Sequence, residues 1–454
     1  MASFSSYTIF GVLPWLCLAP FQYGFAISQL NQVQTALTCK SDAVGSYGFP
    51  LCVPMDDTQF GVITSIFTVG GFIASLFANR VTDPYGRRPA VQLNAILVML
   101  GSLIAATASS VLMLSIGRFF IGLAAGLGLC VIPAFLSEIS PPKIRDAVGV
   151  FNQLSVVFGI LTTQILGFYF AHPGSWRTVF VVSFGLAVLQ FLLGLRSIES
   201  PAWLSANSRK PEARAVTARL WKADGLLAEG RPYDEDDVEE ALLRQTEPVP
   251  TQEHPAATIL QCFKIPELRV PLLIVSLGML AQQLSGINAV MYYSTGILSR
   301  ALPDAASYVS LGVAVINVIM TFPPIFLIER YGQRRLLLWS VIGSIFSVFI
   351  LGISLNYNLN TASAVGTLVF VSCFAFGMGP IPFIIIPDVS PLYAVSALSS
   401  ISLSINWSTN FVISLAFLPL RNWLAGPDGE WAGNVFFVFA FLLTASSIAF
   451  FRYF

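Results

Sequence analysis

The chain has 454 residues, of which 55% are hydrophobic and only 11% are charged. Soluble domains have about a quarter of their residues charged, so a chain this apolar needs lipid as part of its solvent. The 24 Lys and Arg are balanced by 24 Asp and Glu. This balance excludes the strong positive charge of nucleic-acid-binding proteins, and we expect no nucleic-acid partner.

A helix needs about 20 apolar residues to cross ~30 Å of hydrocarbon. In chain order, such runs cover roughly residues 8–30, 58–79, 89–109, 112–137, 147–170 and 176–197 and then, after a polar segment, 269–299, 305–328, 335–356, 362–388, 393–420 and 431–453. We number them spans one to twelve. Helices are predicted rather than membrane strands, because lipid offers the backbone no hydrogen-bond partners and the runs do not alternate in polarity.

The sequence therefore predicts an all-α membrane protein with twelve transmembrane helices. An N-terminal six-helix bundle covers residues 1–198, a cytosolic linker with short helices covers 199–268, and a C-terminal six-helix bundle covers 269–454. The linker holds 13 of the 24 acids, and its amphipathic patterns predict short helices at 213–220 and 238–243. The residues alone leave open whether it is a solvated connection or a small packed domain.

The basic residues are unequally divided between the two sides of the membrane. If both termini and the linker share one side, that side carries 19 Lys and Arg and the loops of the other carry four, while Arg118 lies at the start of a helix on that second side. Positive charge favours the cytosolic side, so both termini are predicted to be cytosolic. Cys39 and Cys52 then share a loop on the other side, where disulfides are permitted, and we predict a disulfide between them.

The two halves repeat a charged turn. Residues 83–88 follow span two and 329–335 follow span eight, with Gly86 and Gly332 offset by 246 positions, and one acid ends each of spans four and ten. Positive-inside charge explains the arginines but not the repeated glycine and acid spacing, so we predict ion pairs that gate the cytosolic mouth. The predicted gate residues are Asp83, Arg87, Arg88, Glu138, Arg145, Glu329, Arg334, Arg335 and Asp388.

Span seven contains three amides, Gln282, Gln283 and Asn288. Amides inside a membrane are costly unless paired, and they donate and accept hydrogen bonds as a sugar hydroxyl does. We predict that they bind a neutral polyhydroxylated solute, with bonding between helices as the alternative.

Span ten is interrupted by Gly-Met-Gly-Pro-Ile-Pro-Phe at residues 377–383. Proline removes backbone donors and kinks helices, so a break is predicted here, beside the solute path. Phe383 and Trp407 offer flat apolar faces to a sugar ring, although either could equally be an ordinary core or lipid-facing aromatic residue.

Catalytic patterns are missing from the sequence. It has no Gly-x-x-x-x-Gly-Lys-Ser/Thr loop for ATP, and its two histidines cannot form a His-Glu-x-x-His metal site. We therefore expect a transporter that is not an enzyme and has neither a cofactor nor a metal.

In its charged turns, in the amides of span seven and in the Gly-Pro stretch of span ten, the sequence resembles the sugar porter family of the major facilitator superfamily, and within it the facilitative glucose transporters. The resemblance implies two six-helix pseudo-repeats, alternating access and a central cytosolic helical domain. It implies sugar contacts at the positions that match Gln153, Gln282, Gln283, Asn288 and Asn317. The matching stretches are residues 21–24, 86–88, 117–119, 137–141, 153–154, 159–161, 199–201, 282–293, 379–382 and 406–411.

The chain departs from the family at Ala375, where an acid is frequent, and at Phe383, where Trp is frequent. Proton-coupled sugar porters often carry an Asp in span one, and the matching residue here is Ala26. No acid lies in the middle of a predicted span, whereas a proton-driven carrier needs a titratable group there. We therefore predict a passive uniporter.

A proton-coupled symporter of a sugar, polyol or related compound and a non-transporting nutrient sensor are the alternatives. The expected partners are a hexose-like sugar and the bilayer of the plasma membrane or of an internal, vacuolar-type membrane. We expect the protein to work as a monomer.

Overall fold

The computed structural model describes residues 3–38, 48–141, 145–222, 259–298, 305–391, 394–426 and 431–454. Within these ranges, eleven helices are long and apolar enough to cross a membrane, and Ala306–Thr321 is a shorter apolar helix. The predicted all-α membrane fold is confirmed.

Spans one to six are Thr8–Ser28, Asp57–Phe77, Arg87–Ala106, Val111–Ile139, Arg145–Phe170 and Arg177–Leu195. Spans nine, eleven and twelve are single helices, Gln333–Asn356, Val395–Leu424 and Asn434–Tyr453. The shorter helices outside the spans are Gln34–Leu37, Asn79–Tyr85, Pro201–Ala206, Lys210–Leu220, Ile259–Lys264 and the 3₁₀ turn Pro266–Leu268.

Span one opens with the π-helical turn Thr8–Val12, and span two is followed across Ala78 by Asn79–Tyr85. The remaining three spans consist of more than one piece. Span seven consists of Arg269–Leu284 and Ile287–Leu298, separated at Gly286, which has a φ of +81°. Span eight consists of Ala306–Thr321 and Pro323–Tyr331, because the two prolines that open the second piece lack the N–H groups that would continue the helix. Span ten consists of Asn360–Cys373, the π-helical turn Phe374–Met378 and Ile381–Val389, so its break overlaps the predicted stretch and begins three residues before it.

The central segment packs against the start of the chain. Its helix Lys210–Leu220 includes the predicted 213–220 helix, whereas the helix predicted at 238–243 lies outside the described residues. The strand Ser3–Phe4 pairs antiparallel with Trp221–Lys222, and Trp221 Nε1 donates to Ile139 O at the end of span four over 3.0 Å. We call this side of the molecule the termini side and the other the opposite side.

Each half packs mainly within itself, and three pairs of spans join the halves. Span two packs on span eleven, span five on span eight, and span one on span seven. Within the first half, glycines let span four approach span two. A Cβ at Gly122 would lie 2.0 Å from Phe67 O, and one at Gly126 would lie 2.2 Å from Gly71 O, as expected for small residues four apart in a membrane helix.

Candidate functional site

Gln282 is bonded to a break in another span. Its Nε2 donates to Met378 O over 2.8 Å and to Gly379 O over 2.9 Å, and its Oε1 accepts from Asn406 Nδ2 over 2.9 Å. In a regular helix Met378 O would accept from the residue four positions on, but that residue is Pro382, which has no N–H. Gln282 therefore satisfies carbonyls that the break leaves unpaired, and it links spans seven, ten and eleven.

Gln283 has a different partner. Its Oε1 accepts from Asn288 Nδ2 over 2.5 Å across the break in span seven. Gln282 and Gln283 are 4% and 5% exposed, so burial does not distinguish them, but their bonding does. An amide group has two donor hydrogens and two acceptor lone pairs, so the Gln283–Asn288 pair keeps donors and acceptors that a solute can use.

Two further predicted contact residues lie on spans that meet across the halves. Gln153 is half-buried in span five, and Asn317 is buried in span eight. These spans pack against each other. The sugar contacts of Gln153, Gln282, Gln283, Asn288 and Asn317 remain predictions.

Trp407 is buried at the interface between the halves. It is 1% exposed, and its Nε1 donates to Ser75 Oγ in span two over 3.0 Å. Its ring lies edge-on to Tyr23 and Phe67, with centroids 6.1 and 6.0 Å away, and a Cβ at Gly71 would lie 2.6 Å from it. In this conformation Trp407 packs between spans instead of presenting a free face. Phe383 is partly exposed at 39%; sugar stacking by either ring remains a prediction.

The halves are tied together on the opposite side. Asn31 Nδ2 donates to Ser294 Oγ over 2.7 Å, and Asn31 Oδ1 accepts from the Thr295 backbone N–H over 3.1 Å. Asp57, at the start of span two, accepts from Asn422 Nδ2 over 3.0 Å and pairs with Arg421 over 3.4 Å. Hydrogen bonds and an ion pair therefore join the halves on this side.

These bonds between the halves were not among the predictions. Asp57 and Arg421 are visible as charges near span ends, but nothing in the sequence indicates that spans two and eleven face each other.

On the termini side, the charged turns are bonded within each half. In the first half, Arg87 forms an ion pair with Glu138 over 2.9 Å, and Glu138 also accepts from Ser200 Oγ. In the second half, Gln333 Nε2 donates to Asp388 Oδ2 over 2.6 Å. Gln333 follows Gly332 as Arg87 follows Gly86, so the repeat keeps its geometry with an amide in place of a guanidinium.

Other predicted gate residues have local roles here. Arg88 donates to Gly194 O over 3.0 Å and to Leu195 O over 2.8 Å, and so caps the end of span six. Asp83 accepts from the neighbouring Thr82 hydroxyl over 3.1 Å. Arg334 and Arg335 are exposed. Cys39 and the side chains of Arg145 and Glu329 lie outside the described residues. Gating by the whole set, and the disulfide, remain predictions.

Glu199 is a functional candidate that was not among the predicted gate residues. Its carboxylate accepts the backbone N–H groups of Arg87, Arg88 and Ser200 over 2.9, 3.1 and 2.7 Å, so it caps the positive end of span three. Gly86 has a φ of +99°, and a Cβ there would lie 2.4 Å from Glu199 Oε2, which explains the glycine. Burial raises the pKa of Glu199, although these hydrogen bonds and the charge of Arg87 oppose the shift.

Arg118 is a buried cation in span four. It is 0% exposed, its Nη1 donates to Ala26 O over 2.8 Å and to Gln29 Oε1 over 3.4 Å, and its guanidinium lies 4.6 Å from the centre of the Phe67 ring. Among the described residues, its Nε and Nη2 have no hydrogen-bond partner and no carboxylate pairs with it. Burying a cation without a counter-charge costs free energy, so we treat Arg118 as a candidate functional residue.

Two helical halves, bonded to each other on one side and meeting at buried amides, define a multi-pass membrane transporter. The chain belongs to the family described as "Sugar (and other) transporter", whose model matches residues 12–454.

It is similar to a probable metabolite transport protein of Saccharomyces cerevisiae, with 30% identity over 93% of this chain and 88% of the relative. It is also similar to human solute carrier family 2, facilitated glucose transporter member 3, with 32% identity over 96% of this chain and 87% of the relative. The fold matches a partially occluded inward-open structure of the xylose transporter XylE from E. coli, with a TM-score of 0.77, 18% identity and coverage of 99% of this chain and 98% of the other.

Proposed function

We propose that this protein carries a hexose-like sugar passively across a membrane by alternating access between its two halves. The observation that supports a sugar is the pair of the buried Gln283 with the half-buried Asn288, which offers donors and acceptors without net charge. The human relative is named a facilitated glucose transporter, and the yeast relative a probable metabolite transport protein. Both names are consistent with a small polar solute.

Passive transport is proposed from the surroundings of Arg118. A proton-driven carrier needs a membrane-embedded group that gains and loses a proton. The residue whose carbonyl Arg118 binds is Ala26, the position at which proton-coupled sugar porters often carry an Asp. Without an acid at this position, the solute gradient is the driving force.

The same proposal covers orientation and assembly. The termini side, which carries most of the Lys and Arg, faces the cytosol, so the bonds that join the halves on the opposite side are non-cytosolic. The site is formed within one chain, and a monomer is therefore sufficient. The membrane is the plasma membrane or an internal, vacuolar-type membrane.

The test is transport by the pure protein in liposomes. We expect radiolabelled D-glucose or another hexose to equilibrate across the membrane without accumulating when a pH gradient is imposed, and an internal pH dye to remain constant. Accumulation driven by the pH gradient would replace uniport with symport. Saturable sugar binding without any flux would refute transport and favour a sensor. Empty liposomes and the Gln283→Leu variant serve as controls.

A further inference from the structure

Span ten bends where its backbone passes span nine. Five residues, Phe374–Met378, form a π-helical turn, in which Gly379 N–H bonds to Phe374 O over 2.9 Å. Sharp bends in helices arise at proline, at π turns or where a polar group inserts into the backbone ladder. All three causes meet at this position.

The inserted group is the hydroxyl of Ser340 in span nine. It accepts from the backbone N–H of Met378 over 2.9 Å and donates to Cys373 O over 2.6 Å. Cys373 precedes the π turn and Met378 is its last residue, so one hydroxyl satisfies a backbone acceptor at one end of the turn and a backbone donor at the other. Ser340 is 1% exposed, so water does not readily replace it.

Gly377 permits this contact. A Cβ at Gly377 would lie 2.7 Å from Ser340 Cβ and 3.0 Å from Leu336 O. Any larger residue would therefore push span ten away from span nine and remove the hydroxyl from the backbone.

The first half of the chain provides a comparison for Ser340. Asn94 occupies in span three the position that Ser340 occupies in span nine, 246 residues later, and its Nδ2 donates to Ala124 O in span four over 2.6 Å. Span four is one continuous α-helix. Asn94 donates to one carbonyl of an unbroken helix, and its Oδ1 accepts from the side chain of Gln190. Ser340, in contrast, both donates to and accepts from the backbone of the bent span.

We propose that Ser340 is a positioning residue that holds the bend of span ten from the outside, while Gln282 holds it from the solute side. The two side chains satisfy different backbone groups of the same break: Cys373 O and Met378 N–H from span nine, Met378 O and Gly379 O from span seven. Ser340 does not touch the solute site. It therefore sets the rate at which the bend changes during transport and leaves sugar affinity unchanged. The rate part of the inference rests on the proposed transport function.

The experiment compares the full-length wild type with Ser340→Ala, Gly377→Ala and Ser354→Ala. Ser354 is the matched control, because it is equally buried in span nine and its hydroxyl bonds only to Ile350 O in its own helix, over 2.8 Å. Backbone hydrogen exchange, followed by mass spectrometry, needs no solute. Loss of the hydroxyl should raise exchange in the peptide spanning 374–383 about tenfold, since the backbone N–H of Met378 loses its acceptor. Gly377→Ala should do the same, and Ser354→Ala should not.

The second measurement uses radiolabelled D-glucose in proteoliposomes. Ser340→Ala should change the maximal rate of net flux by about threefold or more, as expected when a gating step is rate-limiting, while the sugar dissociation constant stays within about twofold. Unchanged exchange in residues 374–383, or equal effects in Ser354→Ala, would overturn the hinge role. A change in affinity at constant rate would overturn the separation from the site. If the wild type moves no D-glucose, the proposed function fails, and the exchange measurement still decides whether Ser340 holds the bend.

Discussion

Gln282 and Gln283 are adjacent, equally buried and identical in type, so the same substitution at each isolates the effect of their different partners. Replacing either residue by Leu removes its amide group and adds a similar amount of apolar surface. Gln282→Leu, however, leaves Met378 O, Gly379 O and Asn406 Nδ2 without their partner, whereas Gln283→Leu affects only Asn288.

The bonding sets the expected magnitude. A side-chain hydrogen bond in a membrane protein contributes on average about 0.6 and at most ~1.7 kcal/mol. Gln282→Leu loses three bonds and Gln283→Leu loses one, so the first variant should be less stable than the second by about 1–3 kcal/mol. This corresponds to a difference of ~3–10 °C in the unfolding midpoint for halves of about 200 residues.

The assay is thermal unfolding of the purified variants in detergent, followed by tryptophan fluorescence, together with sugar binding. We expect Gln282→Leu to show the larger loss of stability. Gln283→Leu should fold almost normally and bind sugar roughly tenfold more weakly, because a solute hydroxyl then faces no partner. Equal midpoints for the two variants would refute the assignment of Gln282 to the break in span ten.

Three further predictions concern charge and covalent bonds. Ala26→Asp places a carboxylate beside Arg118, so sugar flux in proteoliposomes should become pH-dependent, whereas wild-type flux should not depend on a pH gradient. Burial raises the pKa of Glu199 in the folded state above its ordinary value of about 4.5. The protonated carboxyl therefore stabilises the fold fully below about pH 4.5, and this stabilisation is lost as the pH rises through the folded-state pKa. As the pH rises through this range, the free energy of unfolding should therefore decline more for the wild type than for Glu199→Gln. Parallel plots of that free energy against pH would contradict a raised pKa at Glu199. Finally, thiol labelling of unreduced protein should modify neither Cys39 nor Cys52; labelling of both would exclude the predicted disulfide.

Much of the fold follows from the sequence, because lipid imposes one strong requirement on every span. Apolar runs of sufficient length had to become helices, and the described spans lie close to their predicted positions. The break in span ten was predictable from Pro380 and Pro382. The interruption in span eight could have been found by the same logic at Pro323 and Pro324.

The partners of the site residues were harder to predict. The solute contact of Gln282 remains a prediction, and the structure adds bonds from its amide to two carbonyls of span ten, which carry no sequence signature. The clue was indirect: Pro382 cannot donate to Met378 O, so a donor had to come from elsewhere. Trp407 is buried against Gly71 by the meeting of spans two and eleven, and a pairing between positions so far apart in sequence leaves no local pattern.

The two halves are not equivalent, although their sequences repeat. In the first half, Arg87 and Glu138 form an ion pair with side chains 21% and 18% exposed, and Glu199 caps span three beside them. In the second half, the corresponding bond joins Gln333 to the exposed Asp388, and an exposed bond contributes little to stability. Spans seven and ten of this second half are also interrupted, whereas the break after Phe322 in span eight has a counterpart in the first half at Ala78. Weakly bonded turns change shape most readily, so we expect the charged turn of the second half to rearrange more readily than that of the first.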